Sequence, residues 1–313
     1  MSATMQSIRQ QAFGGPEVLE LTEVDRPVPL PTEVLVRVRA AGVNPVEAVI
    51  RSGQFPLLGE PPFILGWDIS GVVEDIEPGV TRFRPGDEVY GMPFFPRAAG
   101  AYAEYVAAPS RQLARKPAGL SHAEAAALPL AGLTAWQALV DTAHVAAGQR
   151  VLIHGSGGGV GHLAVQIAKA RGAHVIGTAS AAKHDFVASL GADELIDRAT
   201  DFAAHVDGVD VVLDTIGGDT ALRSIGVLRP GGLLVTIVGR RDADLAARTE
   251  TAGRRFAGLS VEPDYPALEA LAGLAGSGKL RVHLQATPGL AEAAKAHELL
   301  ESGSVTGKIA LTV

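Results

Sequence analysis

The chain has 313 residues, 47% hydrophobic and 19% charged, enough to bury one large core or two ordinary ones. With 27 Lys and Arg against 34 Asp and Glu the formal charge is −7, so the basic footprint of a nucleic-acid or anionic-membrane binder is excluded. There is no cysteine, which also excludes disulfides and zinc–thiolate ligation.

In chain order, the opening "MSATMQSIRQQAFGG" lacks an apolar core of signal-peptide length. Residues 1–120 then read as short strands separated by Pro/Gly punctuation. "EVLVRVRAAGV" (Glu33–Val43) alternates and is β-branched, while "GWDISGVVEDIEPGV" and "PGDEVYGM" read as strands closed by turns. Many short strands of this kind predict a small β-barrel-like domain. The texture changes near Ser121. "SHAEAAALPLAGLTAWQALV" reads as helix interrupted at Pro129, and its uncharged part, Ala125 to Val140, falls short of a membrane span. A cytoplasmic protein is expected. Strands and helices then alternate: "RVLIHG", "GVGHLAVQIAKARG", "AHVIGTA", "AAKHDFVASLG", "DELID", "VDVVLDTIGG" and "GGLLVTIVG". The nearly continuous apolar strands fit a parallel sheet buried on both faces. Their alternation with helices predicts an α/β, doubly wound Rossmann sheet over residues 121–263. The amphipathic helix "GLAEAAKAHELLESG" and the strand "GKIALTV" are too short for a domain. Residues 264–313 are therefore expected to join residues 1–120.

The stretch "VLIHGSGGGVGHLAVQIAKARG" carries the most chemistry. Gly155, Gly158 and Gly161 stand at i, i+3 and i+6, which departs from the strict dinucleotide spacing of i, i+2 and i+5. The loop still lies between a buried strand and a helix, where unpaired N–H groups and the helix dipole attract a pyrophosphate. Gly155, Ser156, Gly157, Gly158, Gly159, Val160 and Gly161 are the candidate pyrophosphate residues; a tight turn without ligand is the competing reading. The second strand, "HVIGTA", ends at Ala179 and is followed by Ser180 and Lys183, with no carboxylate before Asp185. A carboxylate there would accept a bond from a ribose 2′-hydroxyl. Its absence, with a hydroxyl and a cation beside it, favours NADPH. A merely solvated Lys183 is the alternative.

The stretches "AAGVNPVEAVIRSGQF", "PFILGWDISGVVEDIEPGV", "RPGDEVYGM", "PLAGLTAWQAL", "VLIHGSGGGVGHLAVQIAK" and "SVTGKIALTV" together resemble the zinc-free, ζ-crystallin-like quinone oxidoreductases of the medium-chain dehydrogenase/reductase superfamily. The resemblance implies a GroES-like β-barrel domain split by the Rossmann domain, with NADPH in the cleft between. It implies hydride transfer to an activated carbonyl or enone, and a homodimer. It places Asn44, Thr134, Val238 and Gly239 at the nicotinamide end, and Ser180, Lys183 and Arg198 at the 2′-phosphate. It leaves the role of Lys308 open.

Two departures bear on the chemistry. Zinc-dependent relatives carry Gly-His-Glu where this chain has Gly66-Trp67-Asp68, and none of the nine histidines pairs with another at metal spacing. No metal is expected. Tyrosines common in the stretch matching "AVIRSGQF" are replaced by Val49 and Phe55, which removes the obvious phenolic proton donor. Asn44, Thr134 and Asp68 are the candidate catalytic residues. Asn44 donates a hydrogen bond, orients the nicotinamide ribose, or is a turn residue before Pro45; Asp68 floors the pocket or plays a structural role. Phe55, Trp67, Phe94 and Phe95 line an apolar substrate pocket or belong to the core, and His154 is expected to be a satisfied core histidine. "GTASAAKHDFVASLGA" also resembles enoyl reductase domains of polyketide synthases. A free-standing NADPH-dependent quinone or enone reductase acting on a small molecule is the expected function. An enoyl reductase or a non-catalytic NADPH-binding protein are its rivals.

Overall fold

A computed structural model describes residues 3–313. The chain divides into two compact units. The first holds the chain up to Leu133 with Glu262–Ser277 and Val282–Val313; the second holds Thr134–Val261 with Gly278–Arg281. The changeover after Leu133, beyond Ser121, has a packing cause: the helix His122–Ala126 lies on the strands Glu33–Val43 and Ile69–Ile76 of the first unit.

In the first unit the strand Glu33–Val43 is central. Val34, Val36, Val38 and Ala40 are buried on one face, as the period of two requires. It pairs antiparallel with Ile69–Ile76, Tyr105–Pro109 and Lys308–Thr312. Register shifts against Ile69–Ile76, between Leu35 and Val36 and between Val38 and Ala40, are bulges that bend and twist the strand. The seven-stranded sheet continues through Glu88–Gly91 to Leu113–Arg115 on one side and to Leu284–Ala286 on the other. This is the curled sheet of a GroES-like domain. The C-terminal strand completes it: Ile309 stands opposite Val43, which brings Lys308 level with Asn44. Gly42 is needed at this crossing, because a methyl group on it would lie 2.4 Å from the Ala126 carbonyl oxygen and 2.9 Å from Asp68 Cβ.

The second unit is a six-stranded parallel sheet in the order Glu194–Asp197, His174–Ala179, Arg150–His154, Val209–Asp214, Leu228–Thr236, Arg255–Gly258. Numbered along the chain within the unit this is 3-2-1-4-5-6, the doubly wound dinucleotide-binding order. Val151, Leu152 and Ile153 are fully buried in succession, as expected of a strand covered on both faces. One core cluster joins Leu152, Ile176, Val212 and Leu234 to Ala221, Val227 and Leu245 from the covering helices. His154 sits within this core. Its Nδ1 faces Thr178 Oγ1 at 3.0 Å and its Nε2 faces Ser224 Oγ at 2.9 Å, and burial pulls its pKa down to about 4. It is a neutral, satisfied core histidine, as the sequence suggested. The predicted interruption at Pro129 separates the helices His122–Ala126 and Pro129–Trp136. The π-helical turn Gln137–Thr142 that follows has no signature in the sequence. Among the described residues no helix is long and apolar enough to cross a membrane.

Candidate active site

The glycine-rich loop of the second unit follows the strand Arg150–His154 and opens the helix Gly159–Ala170. It lies at the carboxyl end of the sheet, where the strand order reverses and open α/β sheets bind their ligands. Gly155 has φ +64°, the left-handed region that disfavours a side chain, and a methyl group there would lie 2.6 Å from Thr215 Oγ1. On Gly161 a methyl would come within 2.1 Å of the Gly155 carbonyl oxygen and 2.7 Å of Ser156 Cα. Helix and loop are therefore pressed together as only glycine allows. The first-turn N–H groups of Gly159, Val160 and Gly161 have no carbonyl behind them in the helix. Ser156 plays a different part from an anion ligand through its side chain. It is fully buried, and its Oγ and N–H both donate to the Thr178 carbonyl at 3.0 Å, tying the loop to the second strand.

The end of that strand is cationic. Ala179 is buried, and Ser180 caps a 3-10 turn, Ala181–Lys183, with its carbonyl accepting from Lys183 N–H at 2.8 Å. The Lys183 stem lies along the loop: a methyl on Gly157 would sit 2.9 Å from Lys183 Cδ. Arg198 N–H donates to the Ala179 carbonyl at 2.8 Å. Burial, and then the charge of Arg198, hold the Lys183 ammonium below its usual pKa, so two cations share this corner. The carboxylate opposite Ala179 in register is Asp197, which accepts from Ala199 N–H of its own turn at 3.0 Å. A glycine loop closed to Cβ atoms at Gly155 and Gly161, a helix N-terminus and two cations at the neighbouring strand end fit a dinucleotide's phosphates. Further along the sheet edge, Val238 is exposed and Gly239 half-buried, with Gly239 N–H donating to Thr236 Oγ1 at 3.2 Å. Asp214 fixes this region by accepting from Ile216 N–H, Gly217 N–H and Thr236 Oγ1. Thr134 is buried in the helix Pro129–Trp136.

The first unit contains a buried polar cluster built on the helix Pro45–Arg51. Asn44 is its N-cap and Pro45 its first residue. Glu47, three residues on, accepts Asn44 N–H at 2.7 Å, one half of a capping box. The other half is not made. The Asn44 side chain turns inward, where Nδ2 donates to Asp68 Oδ2 at 3.0 Å and to Glu47 Oε1 at 3.3 Å, and Oδ1 accepts from Lys308 Nζ at 2.5 Å. Lys308 also donates to the Val43 carbonyl at 2.8 Å. Glu47 Oε2 accepts the Tyr102 hydroxyl at 2.6 Å, and that hydroxyl lies 3.2 Å from His297 Nε2. His297 Nδ1 faces Arg51 Nη1 at 3.2 Å, and Arg51 pairs with Glu301 at 2.8 Å. Glu47, Asp68, Lys308 and Tyr102 are buried, and burial dominates their protonation. It raises Glu47 to about 7 and Asp68 to about 6, lifts Tyr102 well above its usual range and depresses Lys308. Burial, reinforced by Arg51, lowers His297 to about 3.

Comparison with known proteins matches residues 30–118 to the alcohol dehydrogenase GroES-like domain and residues 190–311 to the zinc-binding dehydrogenase family. A quinone oxidoreductase of Pongo abelii is 33% identical, covering 98% of this chain and 97% of its own. A solved quinone oxidoreductase of Coxiella burnetii superposes with a TM-score of 0.94 at 38% identity, covering 99% and 100% of the two chains. A mycocerosic acid synthase-like polyketide synthase of Mycobacterium tuberculosis is 34% identical over 96% of this chain but only 15% of its own length. The chain belongs to the quinone oxidoreductase family of medium-chain dehydrogenases/reductases. It is an oxidoreductase of a family that uses a nicotinamide cofactor.

Within this quinone oxidoreductase fold, the position where zinc-dependent relatives carry histidine holds Trp67. It is fully buried, donates its indole N–H to the Arg97 carbonyl at 2.7 Å and meets Phe95 edge-on at 5.1 Å. Trp67 is thus a support for Phe95 and does not itself present an open surface. Phe94 is half-buried with φ +62°, its N–H held by Gln112 Oε1 at 2.6 Å; Phe55 is 38% exposed. Among the described residues no group of three or more His, Cys, Asp or Glu is arranged to hold a metal ion. The sequence pointed to Asn44 and Asp68, whose side chains the structure brings within 3.0 Å. It missed Glu47, Tyr102, His297 and the part played by Lys308. "NPVE" carried a readable signal for Glu47, an N-cap followed three residues later by glutamate. Nothing local marks Lys308 or His297, which reach the cluster through tertiary pairing of the C-terminal segment.

Proposed function

We propose that this oxidoreductase uses NADPH and reduces a quinone or an α,β-unsaturated ketone without a metal ion. The observation that carries the cofactor choice is the Lys183 stem laid on Gly157 beside Arg198, at a strand end without an acid. The N–H groups of Gly159, Val160 and Gly161 hold the pyrophosphate, and Ser180, Lys183 and Arg198 hold the 2′-phosphate. In the second unit Thr134, Val238 and Gly239 take the nicotinamide end. When bound, the cofactor supplies the hydride. The chain supplies position, a large catalytic term for acceptors already activated by conjugation. Phe55, Phe94 and Phe95 contribute apolar surface that favours a flat, weakly hydrated acceptor and excludes water; Trp67 braces Phe95. The proton that completes the reduction comes from water, since Val49 and Phe55 offer none.

The named relatives favour quinones, and the polyketide synthase match favours an enoyl thioester as the second reading. A panel of NADPH oxidation against quinones, enones and a crotonyl thioester separates them. Turnover of quinones or enones supports the proposal, thioester turnover alone transfers it to the enoyl reductase reading, and tight NADPH binding with no turnover supports a binding protein. A homodimer through the edge strand Arg255–Gly258 belongs to the same proposal; a monomeric mass at micromolar concentration would refute it.

A further inference from the structure

Among the described residues only Thr32, Phe94 and His144 hold a left-handed backbone without being glycine, and Phe94, at φ +62°, is the one with a large apolar side chain. Glycine would take this backbone without strain. A phenylalanine persists there only where its surroundings hold it. They do so through a closed set of ties. Phe94 N–H donates to Gln112 Oε1 at 2.6 Å, and the Phe94 carbonyl accepts Arg97 N–H at 2.8 Å. The Arg97 carbonyl accepts the Trp67 indole N–H at 2.7 Å, and Trp67 meets Phe95 edge-on. Gln112 closes a 3-10 turn, Ser110–Gln112, ahead of the strand Leu113–Arg115, which pairs with Glu88–Gly91. It comes that close because Gly91 has no side chain: a methyl there would lie 2.4 Å from the Gln112 carbonyl oxygen. The Gln112 amide has one usable orientation, since its NH2 group turned toward Phe94 would set donor against donor. Phe94 and Phe95 are each half-buried, so both keep apolar surface open although the backbone between them is tied.

We propose that Gln112 is a positioning residue that holds Phe94 in its left-handed conformation, and that Phe94 and Phe95 so held form an aromatic clamp that selects flat, ring-shaped acceptors over acyclic enones. The clamp's ligand rests on the quinone or enone reading above; the tie from Gln112 to Phe94 does not. Aromatic pairs gain from offset or edge-on ring contacts beyond the area they bury. A quinone offers such a ring and an acyclic enone does not. A glutamine that served only as a cap for the turn would affect both kinds of acceptor alike.

Amide hydrogen exchange reads the tie. The Phe94 N–H should be protected in the wild-type protein and exchange rapidly in Gln112→Leu, while Gln112→Glu, which keeps an acceptor oxygen, should preserve the protection. Binding reads the clamp. The chain has two tryptophans, Trp67 and Trp136, so in a Trp136→Phe background naphthoquinone added without cofactor should quench Trp67 emission. Gln112→Leu should raise its dissociation constant about fivefold, the scale of one lost hydrogen bond. Phe94→Gly, which relieves the backbone and removes the ring, should raise it at least as much and keeps the test open should Gln112→Leu fail to fold. Gln112→Glu should stay within about twofold of wild type. In turnover with NADPH the same factor should appear in KM for naphthoquinone, with kcat little changed, and should be absent from KM for but-3-en-2-one. A freely exchanging Phe94 amide in the wild-type protein overturns the tie, whether or not any variant folds. Unchanged naphthoquinone binding and KM in folded variants overturn the clamp, and equal losses for the enone overturn its selectivity. A wild-type protein that protects the Phe94 amide but neither binds naphthoquinone nor reduces quinones or enones would refute the function proposed above, and the clamp with it, while the tie stands.

Discussion

Lys183→Ala should weaken NADPH binding about tenfold and leave NADH nearly unchanged. The estimate starts from a charge-assisted hydrogen bond to a phosphate, roughly 1.5–3 kcal/mol. Three features of the site modify it. The Lys183 stem already lies against Gly157, so less side-chain freedom remains to be lost on binding. Against this, the side chain is only half-buried, so solvent screens the contact and takes away about half of its value. Arg198 pulls the same way. Its charge, after burial, depresses the Lys183 pKa, and in the alanine variant Arg198 is left unopposed to meet the phosphate. The balance is about 1.4 kcal/mol, a factor of ten. Titration of each dinucleotide by fluorescence, at two ionic strengths, measures it. The NADPH difference should shrink with salt, while NADH, which keeps the glycine loop and lacks the phosphate, should respond to neither change. Equal losses for the two cofactors would show that the lysine does not read the 2′-phosphate, and a wild-type preference for NADH would overturn the assignment.

Ala179→Asp should invert the cofactor preference, because a carboxylate at the strand end accepts from a 2′-hydroxyl and repels a 2′-phosphate; an unchanged kcat/KM ratio for the two cofactors would contradict this. Gly161→Ala should destabilise the fold by about 2 kcal/mol or more and abolish binding of both dinucleotides, since the added methyl meets backbone at 2.1 Å; calorimetry and titration check both. Exhaustive chelation should leave activity intact, and loss of activity restored by zinc would refute the metal-free proposal. The pH dependence of stability has a sign. Glu47, raised from 4.5 to about 7, stabilises the fold fully below pH 4.5 and loses this as pH rises through 7, whereas His154, lowered from 6.5 to about 4, stabilises it above pH 6.5 and loses this as pH falls toward 4. Glu47→Gln removes the first trend, so its stability should rise relative to wild type by about 1 kcal/mol per pH unit between pH 5 and 6.5; parallel denaturation curves at the two pH values would rule this out.

The Rossmann sheet was legible because its signals are local. Val151 to Ile153 announce a strand buried on both faces, and the glycines after it announce a strand-to-helix turn. The alternation of Glu33–Val43 likewise matches the strand observed residue for residue. The cationic corner was legible in part. Ala179, Ser180 and Lys183 are neighbours in sequence, but the approach of Lys183 to Gly157 is tertiary. Ser156 read as a loop ligand, yet Gly177 beside it leaves room for its hydroxyl to turn inward to the Thr178 carbonyl. The buried cluster was least legible. Its members are spread from Asn44 to Lys308, and what joins them is the antiparallel pairing of the last strand with Glu33–Val43, which no spacing rule reports.

That cluster is a poor way to gain stability. Enclosed ions cost several kcal/mol each to desolvate, and apolar replacements are often neutral or better. Two carboxyl groups face one ammonium here, and the strain shows in Glu47 and Asp68 being pushed toward neutrality. The helix Pro45–Arg51 loses as well, since an N-cap side chain worth about 1 kcal/mol is turned away from it. What the arrangement supplies is the position of one amide. Lys308→Met tests how the ammonium and the two acids share this site. Without the ammonium, the two acids, already close to neutral pH in their ionisation, take up a proton and remain buried. The variant should stay about as stable as wild type at pH 6 and fall behind as pH rises to 8, because holding that proton costs more at higher pH. An equal stability difference between variant and wild type at pH 6 and pH 8 would refute this coupling.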